Sequence, residues 1–194
     1  MNLEAAWNTY VKMPLPWVRT LGPEYWKSQR VGDKHGPDKY KDLQPESYAL
    51  FRALHQVAKP DDVILDVGCH GGRHMKALRR YGYRQVRGLD VRPSTDQRVC
   101  VGTFEYRLPQ MFTHQFNVVF TFGMTIELVP PSFPICHHLA RIAKKAVVLV
   151  IQEQNIPYPR LWRTEFEREG MQLLTYKHPI TPGSRASLFV WVKP

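Results

Sequence analysis

Cysteine is scarce in this 194-residue chain, and its three copies, Cys69, Cys100 and Cys136, are odd in number and lack paired spacing. A disulfide framework is therefore excluded as the organising device, and the usage fits a reducing compartment. Long apolar runs are also missing. The longest, Ala146 to Ile151, is far too short to cross a bilayer, and the opening Met1-Asn2-Leu3-Glu4 lacks the charged-then-apolar pattern of a secretion signal. The expectation is a soluble, cytoplasmic protein without a membrane span. Internal repeats, low-complexity tracts, a P-loop and a Ser-His-Asp arrangement are absent as well. Cys69-His70 with His74, and Cys136-His137-His138, gather ligand-type residues, but neither has the paired spacing of a structural zinc site, so no metal is expected.

What is present bounds the class. The length suits one domain with a modest appendage, and a hydrophobic fraction of 43% is that of a globular chain. The net charge of +10, with a pI near 9.7, raises nucleic acid or an anionic small molecule as a partner. The excess is local: Arg73 to Arg107 carries nine Lys/Arg against three acids. Most of these would lie on the outer side of a helix whose Met75 and Leu78 point inward, which favours a solvated basic face over an RNA track.

The chain is organised around Val63-Ile64-Leu65-Asp66-Val67-Gly68-Cys69-His70-Gly71-Gly72-Arg73-His74. A short apolar run after Pro60-Asp61-Asp62, closed by three glycines, predicts a buried parallel strand entering a tight turn and then a helix. The dinucleotide pattern G-x-G-x-x-G fails here, because His70 and Arg73 take its second and third glycine positions. Asp66, two residues before Gly68, would repel a pyrophosphate and suits a ligand that brings an ammonium. Asp90 closes a second apolar run, Val86 to Leu89, and a carboxylate there can accept from both hydroxyls of a ribose. One acid for an ammonium and one for a ribose describes S-adenosylmethionine.

Leu65 to His74, followed by Gly88-Leu89-Asp90-Val91, resembles motif I and the ribose-binding acid of the class I S-adenosylmethionine-dependent methyltransferases, in particular the type 11/12-like small-molecule enzymes. The resemblance is close from Asp61 to Asp90 and extends by element order to Pro194. His70 departs from it, standing where many members carry the middle glycine. The resemblance implies an α/β fold: a Rossmann-like three-layer αβα sandwich with a seven-stranded, mostly parallel sheet and an antiparallel last strand. Residues 45–194 would form the cofactor-binding domain, and residues 1–44, dense in aromatics and prolines, a cap over the substrate mouth or an extension docked on the core. S-adenosyl-L-methionine is the implied cofactor, held by Asp66, Gly68, Cys69, His70, Gly72, Asp90, Val91, Thr103, Phe104 and Phe122. Thr103 stands where many relatives place an aspartate for the adenine amino group, and Phe104 would stack on the purine or fill the core.

Transfer from a sulfonium is an in-line displacement with an activated donor, so positioning supplies most of the acceleration and a base is needed mainly for an alcohol. Glu127, after the fourth strand, and His138, on the next helix, are the candidates for that base. The implied function is methyl transfer to an oxygen or nitrogen of a small molecule, such as a sugar or other biosynthetic intermediate, by a monomer or homodimer. The alternatives are a tRNA or rRNA methyltransferase, favoured by charge but lacking an RNA-binding appendage, and an inactive methyltransferase-like binding protein.

Overall fold

The first helix of the described residues forms where apolar residues recur on one face behind a proline. Pro45 opens α1 (Pro45–Val57), and Ala49, Leu50, Phe51, Ala53 and Leu54 are buried along it. The buried face also takes in a polar residue. Tyr48 points to solvent while Ser47 is fully buried, because the Ser47 hydroxyl meets the ring nitrogen Nε2 of His74 at 3.0 Å. The computed structural model describes residues 43–194 apart from Pro93, Met124, Gln154, Asn155 and Pro157, so the cap expected of residues 1–44 lies outside the described residues save its last two.

The apolar runs become β1 (Val63–Val67), β2 (Gln85–Asp90), β3 (Val99–Val101), β4 (Phe116–Phe122), β5 (Ala143–Gln152), β6 (Gln172–Lys177) and β7 (Ala186–Val192). They pair in the order β3-β2-β1-β4-β5-β7-β6. The first five are parallel, and β7 runs antiparallel to both β5 and β6. The expected three-layer sandwich with an antiparallel final strand is therefore the observed fold.

Side chains alternate between two cores. Ile64, Val118, Phe120, Val148 and Val190 face α1 and α2 (Arg73–Arg80), whereas Leu65, Val119, Val147, Leu149 and Trp191 face the side of α4 (Ile135–Ile142) and α5 (Trp162–Arg168). Cover on both faces is why the central strands read as near-continuous apolar runs.

Local sequence and tertiary contacts set several boundaries. The α-helix between β4 and β5 is confined to α4, since Phe133 precedes Pro134 and the residue before a proline is pushed out of helical geometry. Lys144 and Lys145, shortly after it, are strand residues: Ala143 already pairs with Phe116, and Lys145 Nζ bonds both oxygens of Asp62 at 2.7 and 2.8 Å. The third strand ends at Val101. Thr103 leaves it to cap α3 (Phe104–Arg107), its hydroxyl accepting from the Tyr106 amide at 3.3 Å. No helix among the described residues is long and apolar enough to cross a membrane.

Strand order places the site. The chain moves outward from β1 to β3 and then returns to lay β4 on the other side of β1. Such a reversal opens a crevice at the carboxyl ends of the two central strands.

Candidate functional site

Asp66 stands at that crevice, one residue from the end of β1, and is only 1% exposed. Its Oδ2 is buried with no hydrogen-bond partner among the described residues. Burial, and then the charge on Asp90, raise its carboxyl well above the ordinary value, against a smaller pull from Arg73. A buried carboxylate without a partner is costly. A cationic ligand group at the loop would relieve that cost.

The loop after β1 is tied to β2 through its backbone. The amides of Gly68 and Cys69 donate to the Leu89 carbonyl at 2.7 and 3.2 Å, and the His70 amide donates to Asp90 Oδ2 at 2.8 Å. Asp90 Oδ1 accepts from the Arg92 amide at 3.0 Å. Each carboxylate oxygen keeps a second lone pair, so hydroxyl donors can still be received. Gly68, at φ +79°, is required sterically as well: a Cβ there would lie 2.1 Å from Thr125 Cγ2. His70 adopts φ +48°, a left-handed conformation that glycine enters without strain. This is the physical meaning of its departure from the family pattern. Arg92 Nη1 donates to His70 Nε2 at 2.6 Å, and burial followed by Arg92 lowers the imidazole's pKa.

Gly72, at φ +71°, precedes the first residue of α2. Cys69 is buried, and burial with the two nearby carboxylates pushes its thiol up, so it packs as a neutral group. Phe122 ends β4 and receives the Arg73 guanidinium 5.7 Å above its ring. Its other neighbour is His74, whose ring lies 4.4 Å away and whose pKa burial lowers to about 3.

No family model matches the chain, and no curated protein matches it in sequence. Solved structures do match in shape. Magnesium protoporphyrin IX methyltransferase of Synechocystis, with bound cofactor, aligns at a TM-score of 0.68 and 15% identity over 91% of this chain and 97% of its own. The 1,6-didemethyltoxoflavin-N1-methyltransferase of Burkholderia thailandensis, with bound S-adenosylhomocysteine, aligns at 0.68 and 11% over 94% and 92%. The chain has the class I S-adenosylmethionine-dependent methyltransferase fold. The same fold carries a [4+2]-cyclase, SpnF, at a TM-score of 0.59 and 11% identity over 76% of this chain and 80% of that one. The class I fold alone therefore does not fix the reaction.

Within this methyltransferase fold the expected residues separate into two groups. Asp66, Gly68, Cys69, His70, Gly72 and Asp90 converge on the loop, with Val91 directly after Asp90 and half-buried. Thr103 caps α3, and Phe104 packs against the core below it. Glu127 lies beside the crevice but is fully buried, its Oε2 accepting from the Thr125 amide at 3.0 Å and its Oε1 from the Gln152 amide at 2.8 Å. Burial raises it to about 7 against these bonds, so it braces the end of β4 to the end of β5. His138 is not brought to the crevice. Its ring stacks on Phe133 at 4.9 Å, and the charges acting on it are those of Arg141, His137 and Glu169. A cavity of about 870 Å³ also lies away from the paired carboxylates, lined by Leu65, Arg87, Cys100, Arg107, Met111 and Phe116. Sequence reasoning missed Arg73, His74 and Thr125, whose roles arise from contacts across strands.

Proposed function

We propose that this protein is an S-adenosylmethionine-dependent methyltransferase that methylates an oxygen or nitrogen of a small molecule. The buried Asp66 oxygen, which has no hydrogen-bond partner among the described residues, carries the reading, because a ligand with an ammonium at one end and vicinal hydroxyls at the other satisfies both it and Asp90. The cofactor, when bound, supplies a methyl group activated by sulfonium. Asp66 would accept from its ammonium, Asp90 from its ribose hydroxyls, and Arg73, fixed over Phe122, would face its carboxylate. Residues 1–44 would cap the mouth, and the protein would act in the cytoplasm.

A small acceptor is favoured over RNA because part of the basic segment is engaged within the chain. Arg79 binds Asp96 and the Val86 carbonyl, Arg107 the Val101 carbonyl, and Arg92 the His70 ring. An extended phosphate-binding track needs such groups outward.

Isothermal calorimetry with S-adenosylmethionine and S-adenosylhomocysteine tests the reading. Binding is expected for the parent, with a loss of about tenfold or more in Asp90→Ala, the scale of one charge-assisted hydrogen bond or more. A parent protein that binds neither compound overturns it.

A further inference from the structure

A second polar cluster lies at the same edge of the sheet, beyond the end of β5. Glu153 follows that strand, Tyr176 lies near the end of β6, and Ser187 lies near the start of β7, opposite Ile151. The Tyr176 hydroxyl donates to Glu153 Oε2 at 3.1 Å, and the Ser187 hydroxyl donates to the same oxygen. His178 Nδ1 lies 2.9 Å from Ser187 Oγ.

The polarity of this network is determined by proton counting. An ionised carboxylate only accepts, and Ser187, which is completely buried, has a single hydroxyl proton. That proton goes to Glu153. The Ser187 oxygen must then accept from His178, which places the imidazole proton on Nδ1 and leaves a lone pair on Nε2. His178 is exposed, so its ring is open to a ligand. Tyr176 stays a donor, since burial and its bond to Glu153 both raise the phenol pKa. Glu153 has no ion-pair partner among the described residues, and its Oε1 receives no hydrogen bond from them. The cluster therefore presents acceptors and net negative charge.

Its position relates it to the paired carboxylates. Thr125 packs on Gly68, its amide bonds Glu127, and Glu127 holds the amide of Gln152, next to Glu153. From β1 through β4 and β5 to β7 is three strand spacings, about 14 Å at about 4.8 Å each.

We propose that Glu153 and His178, oriented by the buried Ser187 between them, form the recognition subsite for the methyl acceptor, selecting molecules that carry hydroxyl or ammonium donors at the end remote from the methylated atom. The inference rests on the methyltransferase reading and names the acceptor chemistry: a polyol or an amine in preference to a carboxylate or phosphate.

The test uses the full chain with 15N-labelled histidine, at about pH 8, above the ordinary imidazole value of about 6.5. Long-range proton-nitrogen NMR is expected to show His178 with its proton on Nδ1, and mixed tautomers in Ser187→Ala. With S-adenosylhomocysteine present, myo-inositol and ethanolamine should move the His178 Nε2 resonance, whereas acetate and inorganic phosphate should not. Glu153→Gln should weaken the ethanolamine response about tenfold. A proton on Nε2 in the parent, a response to acetate or phosphate instead, or no response to any probe overturns the proposal. The tautomer is read in the parent without relying on any variant's folding. Parallel calorimetry separates the two claims: S-adenosylhomocysteine binding with silent probes defeats the subsite alone, and absent S-adenosylhomocysteine binding defeats the methyltransferase reading.

Discussion

Asp66 pairs in register with Gly88, two residues before Asp90 on the adjacent strand, and the charge on Asp90 adds to burial in raising the Asp66 carboxyl. A group whose pKa is higher in the folded than in the unfolded chain stabilises the fold at low pH and loses that contribution as pH rises through the folded value. Asp66→Asn is isosteric and uncharged, so its melting temperature should exceed the parent's at about pH 8 while S-adenosylmethionine affinity falls about tenfold or more. A variant that is both less stable and fully competent to bind would remove Asp66 from the site.

Gly68 and Thr125 interlock, which makes their substitutions non-additive. Gly68→Ala meets both an overlap at 2.1 Å with Thr125 Cγ2 and a left-handed backbone, so a loss of about 2 kcal/mol or more is expected in urea unfolding. Adding Thr125→Ala relieves the overlap but not the backbone strain. The double variant should recover part of the loss, and a double-mutant cycle without coupling would show the contact to be energetically silent.

Glu127 sets a pH dependence away from the cofactor loop. Its carboxyl rises from 4.5 to about 7 through burial, so its contribution to stability is complete below 4.5 and is lost as pH rises through about 7. Glu127→Gln should abolish that slope. It should also cost about 1–3 kcal/mol, since an amide NH₂ must face one of two buried backbone N–H groups. Chemical denaturation across this pH range measures both effects.

His74 titrates in the opposite sense. Burial, reinforced by Arg73, lowers it from 6.5 to about 3, so its contribution is present above 6.5 and is lost as pH falls toward about 3. His74→Phe should flatten the acid limb of the stability curve. The same change leaves the buried Ser47 hydroxyl without its partner and should cost about 1–3 kcal/mol at neutral pH, read from the urea midpoint.

The sequence by itself determined the strands and the glycine-rich loop between them, because these depend on local order. Val63 to Val67 can only be a buried strand, glycines mark the turn, and an acid at each of two strand ends follows from period and spacing. Near-continuous apolar strands also called for cover on both faces of the sheet, and the sandwich itself was what the family resemblance implied. The tertiary structure decided what each polar side chain does. Glu127 reads in sequence as a base after β4, yet the Gln152 amide from β5 and the Thr125 amide enclose it as a brace. His138 is adjacent to the right loop in sequence, but the helix turns it onto Phe133. Glu153, Ser187 and His178 carry no local signal at all, because hydrogen bonds joining positions up to 34 residues apart exist only once β5 and β7 pair.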